Sequence, residues 1–314
     1  MFRDSRMKGV LVVHCGAGTW RSVDEEVIRK VIQDALRRGT DVLESGGSAL
    51  DAVVEATISL EDSGVLNAGL GSVPDLRGGI SMDAGVMDGW SSRAGAVAAV
   101  TYPKNPVLLA RKVLELTDHV LLAGNAADEL AARLGLSKHP GLSERVKKRY
   151  EEVLKKALSG DAVFKKSFEL AQKLGYFDTV GAVALDSAGK LAAAVSTGGV
   201  ILKLPGRVGD SAVPGAGFFA NRYGAAVATG IGETIIMSML SFKAVNLISE
   251  GYLADTAARL AIQYHTSIYG KDTAGLIALD YRGNAYGAYN TQAMPWGYAR
   301  AETKEVIISG FRRS

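Results

Sequence analysis

Twenty residues of this chain occur twice. DTVGAVALDSAGKLAAAVST at 178–197 aligns with DTAGLIALDYRGNAYGAYNT at 272–291, an offset of 94, with nine of the twenty positions identical. Each copy reads as a strand, a turn at Gly189 or Gly283, and a returning strand. Helical patterns at about 233–248 and 253–264 separate the copies. Hairpins flanked by helices predict stacked sheets with helices as outer layers. The N-terminal half supplies more of the same elements. Residues 9–14 form a short buried strand ending in the turn Gly16-Ala17-Gly18, and Ser22 with Glu25 reads as a capping box. The helix it opens carries Val27, Ile28, Val31, Ile32, Ala35 and Leu36 on one face. A second helix spans about 48–60, an irregular glycine-rich stretch comes next, and 91–100 reads as a strand. Asn105-Pro106 caps a helix to about 116, 119–123 reads as a buried strand, and Asn125 starts another helix.

Almost half of the 314 residues are apolar, which supports a sizeable core and excludes global disorder. The formal charge of +3 is local: residues 144–173 hold nine Lys/Arg against five Asp/Glu, so the remainder is near neutral. That argues against nucleic acid as a partner. The stretch from about 141 to 178 is expected to be a mobile, partly helical linker, with helical patches at 146–158 and 163–170. The single cysteine, Cys15, excludes an intramolecular disulfide, so a reducing cytoplasm is the expected location. The first apolar run is short for a signal peptide, and no stretch reaches the ~20 apolar residues of a membrane span.

The junction Asp178-Thr179 sets a threonine at the head of the first hairpin. If the chain is cut there, Thr179 gains an α-amino group beside its own hydroxyl, with a pKa near ~8 suited to a general base. A threonine hydroxyl otherwise needs activation. The same Asp-Thr pair at Asp272-Thr273 means that one copy must be structural. The residues downstream of each copy separate them. After the first hairpin come Ser196-Thr197-Gly198-Gly199 and Gly206-Arg207-Val208-Gly209-Asp210; after the second comes Asn290-Thr291-Gln292-Ala293. Arg207 could hold an α-carboxylate in bidentate geometry and Asp210 an α-ammonium; a local surface salt bridge is the plainer alternative. Thr229-Gly230-Ile231-Gly232, leading into a helix at Glu233, offers donors for a developing oxyanion. Asn67 could offer an amide. Asp83 and Asp88 sit in turn-like sequence and are assigned to turns. The four histidines show no metal-ligand spacing.

Together HCGAG, NAGLGS, MDAGVMDG, DTVGAVALD, STGG, GRVGDS, PGAG and TGIGE, in this order along nearly the whole chain, resemble the plant-type L-asparaginase/isoaspartyl peptidase family of N-terminal-nucleophile hydrolases. The resemblance implies an α+β fold, a four-layer αββα sandwich, as one domain over 1–314. It implies self-cleavage between Asp178 and Thr179 into chains 1–178 and 179–314. Thr179 would be the nucleophile with Thr197 beside it, and Thr229 with Gly230 the oxyanion hole. Arg207, Val208, Gly209, Asp210, Gly230, Ile231 and Gly232 would bind substrate, and Asn67 would support the nucleophile region. The carbonyls of Leu60, Glu61, Ser63, Leu66, Ala68 and Leu70 would hold a structural sodium ion, with no cofactor for catalysis. Expected substrates are L-asparagine and β-aspartyl dipeptides, and the expected assembly is a homodimer of cleaved protomers. The chain departs from the family at Cys15, at LEDSGVLNAG and at NTQAMPWGYARA, and places Asp178 before the nucleophile, as glycosylasparaginases do. A glycosylasparaginase, a non-catalytic amino-acid-binding protein and a site-specific endoprotease are the alternatives; a clamp for both ends of a zwitterion counts against the last.

Overall fold

The structure is a computed structural model that describes residues 9–20, 24–158, 179–303 and 305–312. Asp178, Ser22 and the helical patch expected at 163–170 lie outside the described residues. Two sheets face each other. The larger holds β1 (Gly9–His14), β2 (Met82–Asp88), β3 (Arg93–Val100), β4 (Leu121–Ala123), β5 (Val180–Asp186), β6 (Leu191–Thr197), β11 (Trp296–Arg300) and β12 (Val306–Ser309), in the order β12-β11-β1-β5-β6-β2-β3-β4. The smaller holds β7 (Phe218–Ala220), β8 (Gly224–Gly230), β9 (Ala274–Asp280) and β10 (Ala285–Tyr289), in the order β10-β9-β8-β7. Thus the two repeat hairpins, β5–β6 and β9–β10, lie in opposite sheets.

Strand alternation sorts the core into layers. Leu11, Val13, Ala182, Ala184, Ala192 and Ala194 face outward against α1 (Glu25–Glu44), α2 (Ala49–Asp62) and α3 (Pro106–Leu116). Val10, Val12, Val183, Leu185 and Val195 face inward against Phe218, Val227, Ile277 and Leu279 of the second sheet. That sheet turns Ala226, Ala228, Leu276 and Ala278 toward α7 (Leu240–Ser249) and α8 (Ala254–Tyr269). The result is the αββα sandwich, its central strands buried on both faces. The sheets approach closely: a Cβ on Gly181 would lie 2.4 Å from Val227 Cγ1, and one on Gly85 would lie 2.1 Å from the Phe218 ring.

The repeat has a structural meaning as well as a sequence one. Asp186 ends β5, and its carboxylate accepts from Ala188 N (2.9 Å) and Lys190 N (3.0 Å) in the turn and from Ala49 N (3.1 Å) at the start of α2. Asp280 ends β9 and accepts from Arg282 N and Asn284 N in its turn and from Ala254 N, which opens α8. Each hairpin caps the helix that covers its own sheet. Asp186→Ala leaves three amide donors without their acceptor and should lower the unfolding free energy by about 2–3 kcal/mol, read by denaturant titration.

Several expectations change. Asp24, not Ser22, caps α1, and Val27 is exposed on it. β4 is an exposed edge strand. Residues 82–88 form a central strand instead of a turn-like loop. The helix expected at 233–248 is broken into α6 (Gly232–Ser238) and α7 by Met239 at φ 48°. A short α4 (Gly124–Arg133) comes after β4 as expected. In the charged segment the helical patch expected at 146–158 is present. Residues 144–158 form α5 (Glu144–Leu158), a docked helix. Val153 packs with Val73, Val200, Ile201, Leu202 and Ile231, flanked by Tyr150, Leu154 and Ala157. Tyr150 also donates its hydroxyl to Leu76 O at 3.2 Å, and Arg145 Nη2 donates to the carbonyls of Gly64 and Val65. No helix among the described residues is long and apolar enough to cross a membrane.

Candidate active site

Thr179 immediately precedes β5, a central strand between β1 and β6, and is buried. Its Oγ1 donates to Thr197 Oγ1 at 3.2 Å, and Gly199 N donates to the same Thr197 oxygen at 2.9 Å. The second Asp-Thr copy is spent on structure. Thr273 Oγ1 donates to Gly270 O, Asn290 Nδ2 donates back to that hydroxyl, and Thr273 N donates to Asn290 Oδ1. Its carbonyl accepts from Ile231 N at 2.8 Å, so the second copy props up the loop that faces the first.

Thr179, Thr197, Arg207, Asp210, Gly230 and Gly232 line one pocket together with Gly199 and Val200. Asp210 is buried in it, and its Oδ2 has no hydrogen-bond partner. Burial pushes its carboxyl up to about 7, against the pull of the neighbouring Arg207. Arg207 itself meets Glu233 in a fork, Nε to Oε1 and Nη2 to Oε2, both at 2.9 Å. Burial works against the guanidinium, but the Glu233 hydrogen bonds and charge outweigh it and hold the pKa above the ordinary value. The pocket therefore offers an oriented cation and a carboxylate with an open oxygen. Gly232 makes room for both: a Cβ there would lie 2.6 Å from Arg207 Nη2 and 2.9 Å from Asp210 Oδ1.

The other sequence-predicted residues belong to this lining or adjoin it. Thr229 is the next-to-last residue of β8, on the face shared with Ala225 and Val227, fully buried, and its Oγ1 accepts from Ala17 N at 3.2 Å. Gly230 has φ +136°, and a Cβ there would lie 2.3 Å from Thr273 O, so only glycine fits. Val208, Gly209 and Ile231 belong to the connecting backbone. Asn67 does not offer its amide to the pocket. Its Nδ2 donates to Gly199 O at 2.6 Å, its Oδ1 accepts from Val73 N, and its carbonyl accepts from Gly198 N. It is a brace for the loop after Thr197.

Sequence reasoning passed over three further groups. Asp83 pairs across β2–β6 with Thr197, and its carboxylate accepts from Gly209 N (2.9 Å) and Ala99 N (2.8 Å), which fixes the clamp loop. The turn assignment holds for Asp88, which accepts from Trp90 N and Ser91 Oγ, and fails for Asp83. Glu233 and Lys203 are the others; Glu233 closes the TGIGE motif, which was the available signal.

The loop proposed for sodium carries backbone oxygens in quantity. Leu66 O accepts from Ala68 N and Ala68 O from Gly71 N, each keeping a second lone pair, whereas Leu60 O already accepts from both Ser63 N and Ser63 Oγ. Leu66 O and Gly64 O crowd onto Gly71, where a Cβ would lie 2.0 and 3.0 Å away. Among the described residues no group of three or more His, Cys, Asp or Glu could hold a metal, so an all-carbonyl set is what this loop offers, and it suits a hard cation. Glu61 turns its side chain inward to Val107 N, with burial raising its carboxyl to about 8.

Two facing sheets between helical layers thus carry a hydroxyl pair at a strand head and a buried carboxylate in the same pocket. An asparaginase family profile matches residues 7–308, and the chain belongs to that family. It is 50% identical over 295 residues to the plant-type L-asparaginase of Pyrobaculum calidifontis, covering 92% of this chain and 96% of that one. Against the plant-type L-asparaginase of Pyrococcus furiosus it is 42% identical over 94% and 97%. The isoaspartyl peptidase/L-asparaginase of Xenopus laevis is 41% identical over 84% of each chain.

Proposed function

We propose that this protein cuts itself between Asp178 and Thr179 and then hydrolyses L-asparagine and β-aspartyl dipeptides. The observation that carries this reading is the meeting, in one pocket, of the Thr179–Thr197 hydroxyl pair with the open oxygen of Asp210. Arg207 takes the substrate α-carboxylate and Asp210 its α-ammonium. Thr179 Oγ attacks the side-chain carbonyl, and its proton passes by way of the freed α-amino group to the departing ammonia or amino acid. Thr229 and Gly230 hold the negative oxygen, a contribution typically worth ~3–4 kcal/mol per donor. Water, deprotonated by the same amine, then hydrolyses the β-aspartyl ester and releases aspartate.

The carbonyls of Leu60, Glu61, Ser63, Leu66, Ala68 and Leu70 would hold a sodium ion that stiffens the loop carrying Asn67; the ion takes no part in the chemistry. A homodimer of cleaved protomers in the cytoplasm completes the reading. Mass spectrometry of the purified protein, with ammonia and amino-acid release from L-asparagine, a β-aspartyl dipeptide and a glycosylated asparagine, tests it. Fragments ending at Asp178 and starting at Thr179, with turnover of the first two substrates, are expected. An intact chain inert toward all three would leave an amino-acid-binding protein, and turnover of the glycosylated substrate alone would make it a glycosylasparaginase.

A further inference from the structure

Among the described residues Lys203 is the only lysine or arginine that is buried. A buried ammonium is costly unless its donors are used and counter-charges are near. Its Nζ donates to Ser81 O and, at 2.8 Å, to Gly198 O. The charged groups facing it are Asp83 from β2 and Asp75 from the turn before β2, which favour the ammonium, and Arg207 from the adjoining loop, which opposes it. Gly199 is what lets it approach, since a Cβ there would lie 2.6 Å from Nζ.

The peptide unit it grips is the informative one. Gly198 C=O and Gly199 N–H belong to a single planar trans amide, so they point in opposite directions. The oxygen is held by Lys203, and the N–H points at Thr197 Oγ1, 2.9 Å away. Asn67 grips the neighbouring units by donating to Gly199 O and accepting from Gly198 N, but neither bond touches this oxygen. We infer that Lys203 is a positioning residue of the reaction: by fixing the Gly198 carbonyl it aims the Gly199 amide at Thr197 and so holds the Thr197 hydroxyl on Thr179. The inference rests on the reading of Thr179 as the nucleophile.

Losing the proton would weaken both charge-assisted bonds and remove the positive charge beside Asp83. Burial lowers the pKa of Lys203 to about 8. Because the folded state binds this proton more weakly than the unfolded chain, the Lys203 contribution to stability rises as pH climbs from about 8 toward the ordinary lysine value. Its contribution to turnover falls over the same interval. A purely structural lysine would not separate the two.

The test is kcat for L-asparagine, at saturating substrate, against pH for the wild type, Lys203→Met and Lys203→Arg, with thermal unfolding measured in the same buffers. Wild-type kcat should decline above about pH 8 while the protein stays folded. Lys203→Met should lose about 10- to 100-fold in kcat, with KM changed far less and the alkaline decline gone. Lys203→Arg, which keeps its charge, should show no alkaline decline. A wild type with no decline while folded overturns the inference even if Lys203→Met fails to fold. A Lys203→Met protein with wild-type kcat and the same decline overturns it too. A wild type inert on asparagine and on β-aspartyl dipeptides at every pH overturns the hydrolase reading, and this inference with it.

Discussion

Thr179→Ala remains one chain of 33.0 kDa and releases no ammonia from L-asparagine above background. Both outcomes stem from the loss of the hydroxyl. In the proposed mechanism the Thr179 hydroxyl is the attacking group for the cut at Asp178 and for the substrate, and the amine that serves as base exists only after the cut. Removing a nucleophile that acts as a unit with its base costs on the order of 10⁴-fold or more in kcat. The fold should be nearly untouched, because the deleted oxygen makes a single hydrogen bond, to Thr197, worth about 1 kcal/mol. A gel, intact mass, ammonia release and a denaturation curve on the same preparation decide the matter. Two fragments, or ordinary turnover, would end the assignment.

Asp210→Asn should lose about 100-fold in kcat/KM for L-asparagine, the ~3 kcal/mol of a charge-assisted bond to a buried ammonium. The wild type should bind more weakly as pH falls below about 7, where the buried carboxyl takes up a proton and can no longer balance the substrate's charge. KM for the Asp210→Asn protein should lack that dependence. The stability effect has the opposite sign. Folded Asp210 binds its proton more tightly than an unfolded aspartate does, so its contribution to stability is lost as pH rises from the ordinary carboxylate range through about 7. At pH 8 Asp210→Asn should therefore melt higher than the wild type while working far less well. A variant that melts lower and keeps a pH-dependent KM would place the ammonium elsewhere.

The sequence disclosed those parts of the fold that local pattern determines. β1 falls on 9–14 as expected, α2 opens after Ser48 with a capping box, and both repeat hairpins form with their turns at Gly189 and Gly283. β2 escaped because a strand holding Gly85 and two aspartates resembles a turn. The glycine is there because Phe218 packs against it, and Asp83 because the clamp loop needs an acceptor, both facts of distant residues. In α5 the face formed by Val146, Tyr150, Val153, Leu154 and Ala157 was present in the sequence but hidden among lysines and glutamates that face solvent. The pocket itself was largely legible, since Thr179, Thr197, Arg207, Asp210, Gly230 and Gly232 do converge. The groups that hold those side chains in place were not. The residues alone left Asn67 as an amide that could face the site, only the family resemblance pointed to its supporting role, and Lys203 and Glu233 received no role, because a brace reveals itself only by what it touches.

The strand order of the larger sheet carries a consequence for how the protein would be made and lost. Going across it, β12 and β11 come from after Thr179, β1 from before it, β5 and β6 from after, and β2, β3 and β4 from before. A cut ahead of β5 would thus leave two polypeptides interleaved within one sheet. Neither could depart without breaking strand pairs of the other, so separation and unfolding would be the same event. Assembly would change its molecularity: the uncut precursor folds as a first-order process, whereas denatured fragments must find each other. Recovery of the cut protein from denaturant should then depend on protein concentration. The precursor's recovery should not, and what self-cleavage removes is the option of refolding alone.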